Sequence, residues 1–117
     1  MTRSWSAFLR KGILVWGLVF WGCWVLPVWA VQEVEIVIRD HRFHPETVHV
    51  RAGEPIRLVV KNQDRTVEEF ESHDLRLEKI IRPGGKAVFR IRALKPGKYE
   101  FFGEFHPETA RGWLVVE

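Results

Sequence analysis

The chain has 117 residues, with 18 Lys and Arg against 15 Asp and Glu and a formal net charge of +3. Three of the basic residues (Arg3, Arg10 and Lys11) and none of the acidic ones fall in the first 30 positions, so the remainder is balanced and lacks the basic footprint of a nucleic-acid binder. One cysteine, Cys23, excludes an intramolecular disulfide, and after residue 30 there is neither cysteine nor methionine.

Residues 1–30 read as a secretory signal: a basic start, an uncharged stretch from Gly12 to Gln32, and Val28-Trp29-Ala30 as the cleavage exit. An uncleaved anchor is the rival reading, because the stretch reaches the roughly 20 residues that span a bilayer. Pro27, just before the exit, favours cleavage. A lipoprotein site at Gly22-Cys23 is the weaker third reading, since Phe20 and Trp21 suit it poorly and apolar sequence continues past the cysteine. In the signal and anchor readings alike the cationic start stays inside and the rest is exported, which points to the periplasm. Residues 31–117 suit one small domain with one core.

Along that domain, Val34, Ile36 and Ile38 alternate with Glu33, Glu35 and Val37, the period of a half-buried strand. A loop over residues 40–46 leads to a second strand at Thr47-Val48-His49-Val50, stopped by Ala52-Gly53-Glu54-Pro55. Ile56, Leu58 and Val60 alternate again up to the turn cluster Asn62-Gln63-Asp64. Residues 65–74 are mostly polar and carry Glu68, Glu69, Glu71 and His73. A strand over residues 75–81 ends at Pro83-Gly84-Gly85, and another follows over residues 87–92. Lys95-Pro96-Gly97 turns into an aromatic strand (Tyr99, Phe101, Phe102), and Gly112-Trp113-Leu114-Val115-Val116 closes the chain.

About seven short strands, with turn signals every 8–12 residues and no convincing helix, are the pattern of an antiparallel β-sandwich. Trp113, Phe101 and Phe102 are read as core. Arg90 and Arg92 are read as a charged strand face that discourages edge pairing. The most chemical segment is the last turn, where Glu104, His106 and Glu108 gather as a strand gives way to a loop. Imidazole beside carboxylate is a metal-binding combination. No serine elbow or Gly-rich phosphate loop occurs, and the domain is read as a non-enzyme.

Two stretches carry a family resemblance. The first is Phe43-x-Pro45-x-x-Val48-x-Val50-x-Ala52-Gly53-Glu54-x-Ile56, followed by Val59-Val60-x-Asn62-x-Asp64. The second is Pro83-Gly84-Gly85, Leu94-x-Pro96-Gly97-x-Tyr99-x-Phe101 and the His106 loop. Together they resemble cupredoxin domains over nearly all of residues 33–117. Glu69-Phe70-Glu71-Ser72 with the run from Phe102 to Ala110 is similar to the EfeO-type subgroup, which is linked to bacterial periplasmic iron uptake. The resemblance implies an all-β, Greek-key β-sandwich. It also implies a first histidine position occupied here by Glu69, and a cysteine position occupied by Gly103, three residues before the retained His106. Without thiolate or methionine a blue-copper centre is excluded.

What the resemblance leaves is a metal site of Glu69, Glu104 and His106, with Glu71, His73, Glu78 and His44 as weaker additions. His41 and His49 are read as scattered. Such a mixed oxygen and nitrogen set suits a non-blue copper(II) or iron ion, also manganese, and would accept zinc. Alternation from Tyr99 and Phe101 places Gly103 inward and Glu104 outward, which strains this grouping. The implied role is periplasmic iron or copper handling, with an iron permease or a periplasmic metal carrier as partner. The alternative is a metal-free interaction module docking on such a partner. A ferroxidase-like enzyme is the third and weakest reading.

Overall fold

Alternation of apolar and polar residues sets the first strand, β1 (Gln32–Arg39), in which Ile36 and Ile38 are buried and Glu33 and Glu35 face solvent. β2 (Arg42–His44) folds back on it and buries Phe43 alone. β3 (Thr47–Val50) and β4 (Ile56–Asn62) follow, then β5 (Glu68–Ser72), β6 (Leu77–Ile81), β7 (Lys86–Ile91), β8 (Gly97–Gly103) and β9 (Arg111–Val116). The computed structural model describes residues 30–117 continuously, together with Gly17, Trp21, Gly22 and Trp24. The signal, anchor and lipoprotein readings therefore lie outside the described residues. Among the described residues no helix is long and apolar enough to cross a membrane.

The strands form two sheets, ordered β2-β1-β4-β7 and β3-β9-β8-β5-β6. The all-β sandwich read from the sequence is the observed architecture, but both sheets are mixed rather than antiparallel. β1 runs parallel to β4, from Gln32↔Ile56 to Ile38↔Asn62, and β3 runs parallel to β9. The reason lies in the connection. β3 joins the second sheet, so the chain returns to the first at β4 pointing the same way as β1, as parallel neighbours joined by a crossover must. Nine strands replace the seven expected, the additional ones being β2 and β5.

Side chains from both sheets meet in one core. Phe43, Phe70 and Phe101 are essentially inaccessible. Their rings pack at centroid distances of 5.1 Å (Phe43–Phe101), 5.3 Å (Phe70–Phe101) and 5.7 Å (Phe43–Phe70). Burying each contributes about 1.5–3 kcal/mol. Trp113 does not join them. It alternates against buried Gly112 and Leu114 and remains 42% exposed. A Cβ at Gly112 would collide with the Phe101 ring and the Glu46 carbonyl, so glycine permits that strand to lie close.

One end of the sandwich is built by polar groups. Asn62 is buried, and its amide donates to Thr66 O (2.9 Å) and Ile81 O (3.0 Å) while its Oδ1 accepts from Asp64 N (3.0 Å). The Asp64 carboxylate then accepts from Asp40 N (2.7 Å) and His41 N (3.0 Å). Asp40 and His41 both have positive φ, 53° and 57°. Asp and His tolerate this region better than most residues, and here the carboxylate holds it. The β1–β2 turn and the β4–β5 loop are thereby drawn to the same end, and Thr109 Oγ1, donating to His41 O (2.6 Å), brings in the β8–β9 loop.

Candidate metal centre

His106 lies in the β8–β9 loop, half-buried. Its backbone N–H donates to Gly103 O (3.1 Å), and its carbonyl accepts from Thr109 N and Ala110 N (3.2 and 2.8 Å). This tight turn directs the imidazole inward, where Nδ1 stands 2.6 Å from Oε2 of Glu68. The Glu68 side chain is only 2% exposed. Its other oxygen, Oε1, accepts from Glu69 N and Phe105 N, each at 3.0 Å. Oε1 is thus met by two backbone donors, and the short Oε2···Nδ1 contact holds a single proton between carboxyl group and imidazole.

Gly103 makes room for this carboxylate. A Cβ there would lie 2.7 Å from Glu68 Cδ and 2.9 Å from Oε1. The space in which the resemblance would place a thiolate is taken by the Glu68 carboxyl group. A second imidazole covers the first: the rings of His41 and His106 stack at 3.6 Å between centroids, 14° from parallel.

The expected set of Glu69, Glu104 and His106 is not assembled. In β5 the inward residues are Glu68, Phe70 and Ser72, while Glu69 and Glu71 point to the outer face. A strand alternates with period two, so the residue beside His106 is Glu68, and Glu69 lies on the opposite face. Glu69 does meet Glu104, whose N–H donates to the Glu69 carbonyl (2.9 Å), but on the outer face. Glu71 and Glu78 stand opposite each other on β5 and β6 of the same face. The pKa of Glu69 is raised by a hydrogen bond with Glu78, then by partial desolvation and by repulsion from Glu78, Glu71 and Glu104. The weaker candidates disperse. Exposed His73 bonds Glu71 through Nε2 (2.8 Å), and exposed His44 reaches the Arg39 carbonyl (3.3 Å). Glu108 is exposed. Among the described residues, no three or more His, Cys, Asp or Glu side chains are arranged to hold an ion.

Sequence reasoning missed Glu68 and His41. Phe70 carried the signal for Glu68: an apolar residue that must face the core puts residues 68 and 72 inward as well. His41 left no comparable signal, because its place depends on the Asp64 carboxylate across the end of the sandwich.

The donor set does not fit blue copper, which needs a thiolate. Oxygen and nitrogen donors are the kind that harder ions take. Oε2 and Nδ1 share one proton, and two ligands of one ion with bonds near 2.0–2.1 Å stand about 3 Å apart. Replacing the proton would require the pair to part by only a few tenths of an ångström. The two N–H bonds on Oε1 would remain as the outer contacts that hold a ligating carboxylate.

The two-sheet β-sandwich is of the cupredoxin-like class, as its likeness to solved cupredoxins shows. The profile of the cupredoxin-like domain family matches residues 12–116, and the chain belongs to that family. An uncharacterised protein of Rickettsia prowazekii is 50% identical over 86 residues, covering 74% of this chain and 69% of that protein. The copper-resistant cuproprotein CopI of Pseudomonas aeruginosa is 38% identical over 45 residues, covering 38% of this chain and 25% of CopI. Auracyanin A, a blue copper protein of Chloroflexus aurantiacus, superposes with a TM-score of 0.64 at 13% identity, covering 75% of this chain and all of auracyanin. The chain is thus related to copper-binding proteins.

Proposed function

We propose that this chain is an exported metal-handling protein that takes a non-blue copper(II) or iron ion on Oε2 of Glu68 and Nδ1 of His106, in place of the proton they share. The observation that carries this reading is a buried carboxyl group 2.6 Å from His106, the residue that the resemblance makes a retained ligand, in the space that Gly103 leaves open. Two protein donors leave coordination positions for water or for a donor from a partner. Such a site is suited to passing an ion on, and a periplasmic carrier or an iron permease is the matching kind of partner. Kinship with copper proteins supports copper. The resemblance of the Phe102 to Ala110 run to EfeO-type domains supports iron.

The test is calorimetric titration of the purified chain with Cu(II), Fe(III) and Mn(II), with electron paramagnetic resonance of the copper form to identify oxygen and nitrogen ligands. Glu68→Gln and His106→Gln should each weaken uptake about tenfold or more, while the double variant Glu69→Gln/Glu104→Gln stays close to wild type. Loss of uptake in the double variant alone would move the site to the outer acidic face. A chain that takes up no ion would favour the second reading, a metal-free docking module. That reading has its own support: among the described residues no buried side-chain polar atom lacks a hydrogen-bond partner, so the pair is satisfied without an ion.

A further inference from the structure

We propose that His41 is the positioning residue of this site, a flat plate that fixes the His106 imidazole with Nδ1 facing Glu68. Its effect on affinity rests on the metal reading above, but its geometry does not. Among the described residues, the His106 ring makes one hydrogen bond, to Glu68. A ring held by one bond can rock about the bond axis, and a parallel neighbour at 3.6 Å removes that motion.

His41 is itself held from three sides. Its N–H donates to Asp64 Oδ2 (3.0 Å), its carbonyl accepts from Thr109 Oγ1 (2.6 Å), and its Nε2 lies 3.3 Å from Thr66 Oγ1. These contacts keep a non-glycine residue at a φ of 57°, a conformation that persists only where its surroundings enforce it. They also tie the β1–β2 turn to the β4–β5 and β8–β9 loops, the second of which carries His106.

The same stack argues against His41 as a ligand. An imidazole nitrogen binds an ion in the plane of its ring. An ion in the His106 plane stays near 3.6 Å from the nearly parallel His41 plane. A metal–nitrogen bond is about 2.0–2.1 Å. His41 therefore acts through His106.

Two variants separate plate from ligand. His41→Phe keeps a flat ring without nitrogen, and His41→Ala removes the ring. In the apo chain, nitrogen-15 spectra of the His106 ring report its tautomer and mobility. Calorimetry with Cu(II) alone reports affinity. His41→Ala should broaden the His106 ring signals and weaken Cu(II) binding about tenfold or more, and His41→Phe should keep both within about threefold of wild type. If His41→Phe loses as much affinity as His41→Ala with sharp His106 signals, the nitrogen is a ligand and the proposal falls. It falls too if His41→Ala matches wild type in both readouts. Should His41→Ala not fold, Thr109→Val loosens the same contact more gently, and unchanged His106 spectra there would overturn the proposal. If wild type binds no Cu(II), the metal reading fails, and the apo spectra alone decide whether the stack positions the ring.

Discussion

Gly103→Ala tests whether the glycine is there for the Glu68 carboxylate. The new Cβ would sit 2.7 Å from Glu68 Cδ, 2.8 Å from Ala110 Cβ and 2.9 Å from Glu68 Oε1. Carbon atoms settle about 3.5–4.0 Å apart, so Glu68 and Ala110 must both yield by several tenths of an ångström. Overpacking of this kind costs about 1–3 kcal/mol. Glu68 cannot yield freely, because its carboxylate holds bonds of 2.6 Å to His106 and 3.0 Å to two backbone N–H groups. Loosening one charge-assisted bond adds about 1 kcal/mol or more, giving a loss of ~2–4 kcal/mol in all. Urea unfolding would show this as a lower midpoint with an unchanged slope. The decisive comparison repeats the substitution in a Glu68→Ala background. There only Ala110 opposes the new methyl, and the penalty should fall by at least ~1 kcal/mol. Equal penalties in the two backgrounds, within ~0.5 kcal/mol, would refute the claim that Gly103 and Glu68 share one space.

Three further outcomes follow from other parts of the molecule. Asp64→Ala removes the acceptor for Asp40 N and His41 N; it should cost ~1–3 kcal/mol and speed hydrogen exchange at those two amides without affecting the far end of β1. Phe70→Ala empties the centre of the aromatic cluster and should destabilise by ~3–5 kcal/mol in the same urea assay, with a loss below ~1 kcal/mol ruling out that cluster as the core. For Glu69, a pKa raised above the usual 4.5 means that the folded state holds its proton more tightly than the unfolded chain. Its contribution is thus present below that value and is lost as the pH rises through the raised pKa. Glu69→Gln should therefore stabilise the protein at neutral pH and give no gain in acid. Stability curves of the two chains that stay parallel across this range would contradict the repulsion among Glu69, Glu71, Glu78 and Glu104.

How far the sequence could be read depended on whether the two faces of a strand differed in polarity. β1, β4 and β7 declared themselves because Ile, Val and Phe alternate with charge, and their positions in the core agree with that period. β2 is three residues long with one buried side chain, too short for any period to show. β5 was hidden for the opposite reason. Its inward face carries Glu68 and Ser72 as well as Phe70, so both faces look polar and Glu-Glu-Phe-Glu-Ser reads as a loop. That concealment displaced the candidate site. With no strand legible, nothing in the sequence fixes the phase of residues 68 and 69, so the alternation that turns Glu68 inward toward His106 does not show. The same feature that hid the strand is the one that carries the chemistry. A glutamate facing a hydrophobic core is tolerated only if its oxygens are hydrogen-bonded, and His106 with two backbone N–H groups meets those of Glu68. Removing His106 while leaving Glu68 in place should therefore cost more stability than removing both, because an unpaired buried carboxylate is worse than none. A cycle of Glu68→Ala, His106→Ala and the double variant measures this. If His106→Ala alone is the milder change, Glu68 has another source of compensation and the pair is not the organising contact of this end of the sandwich.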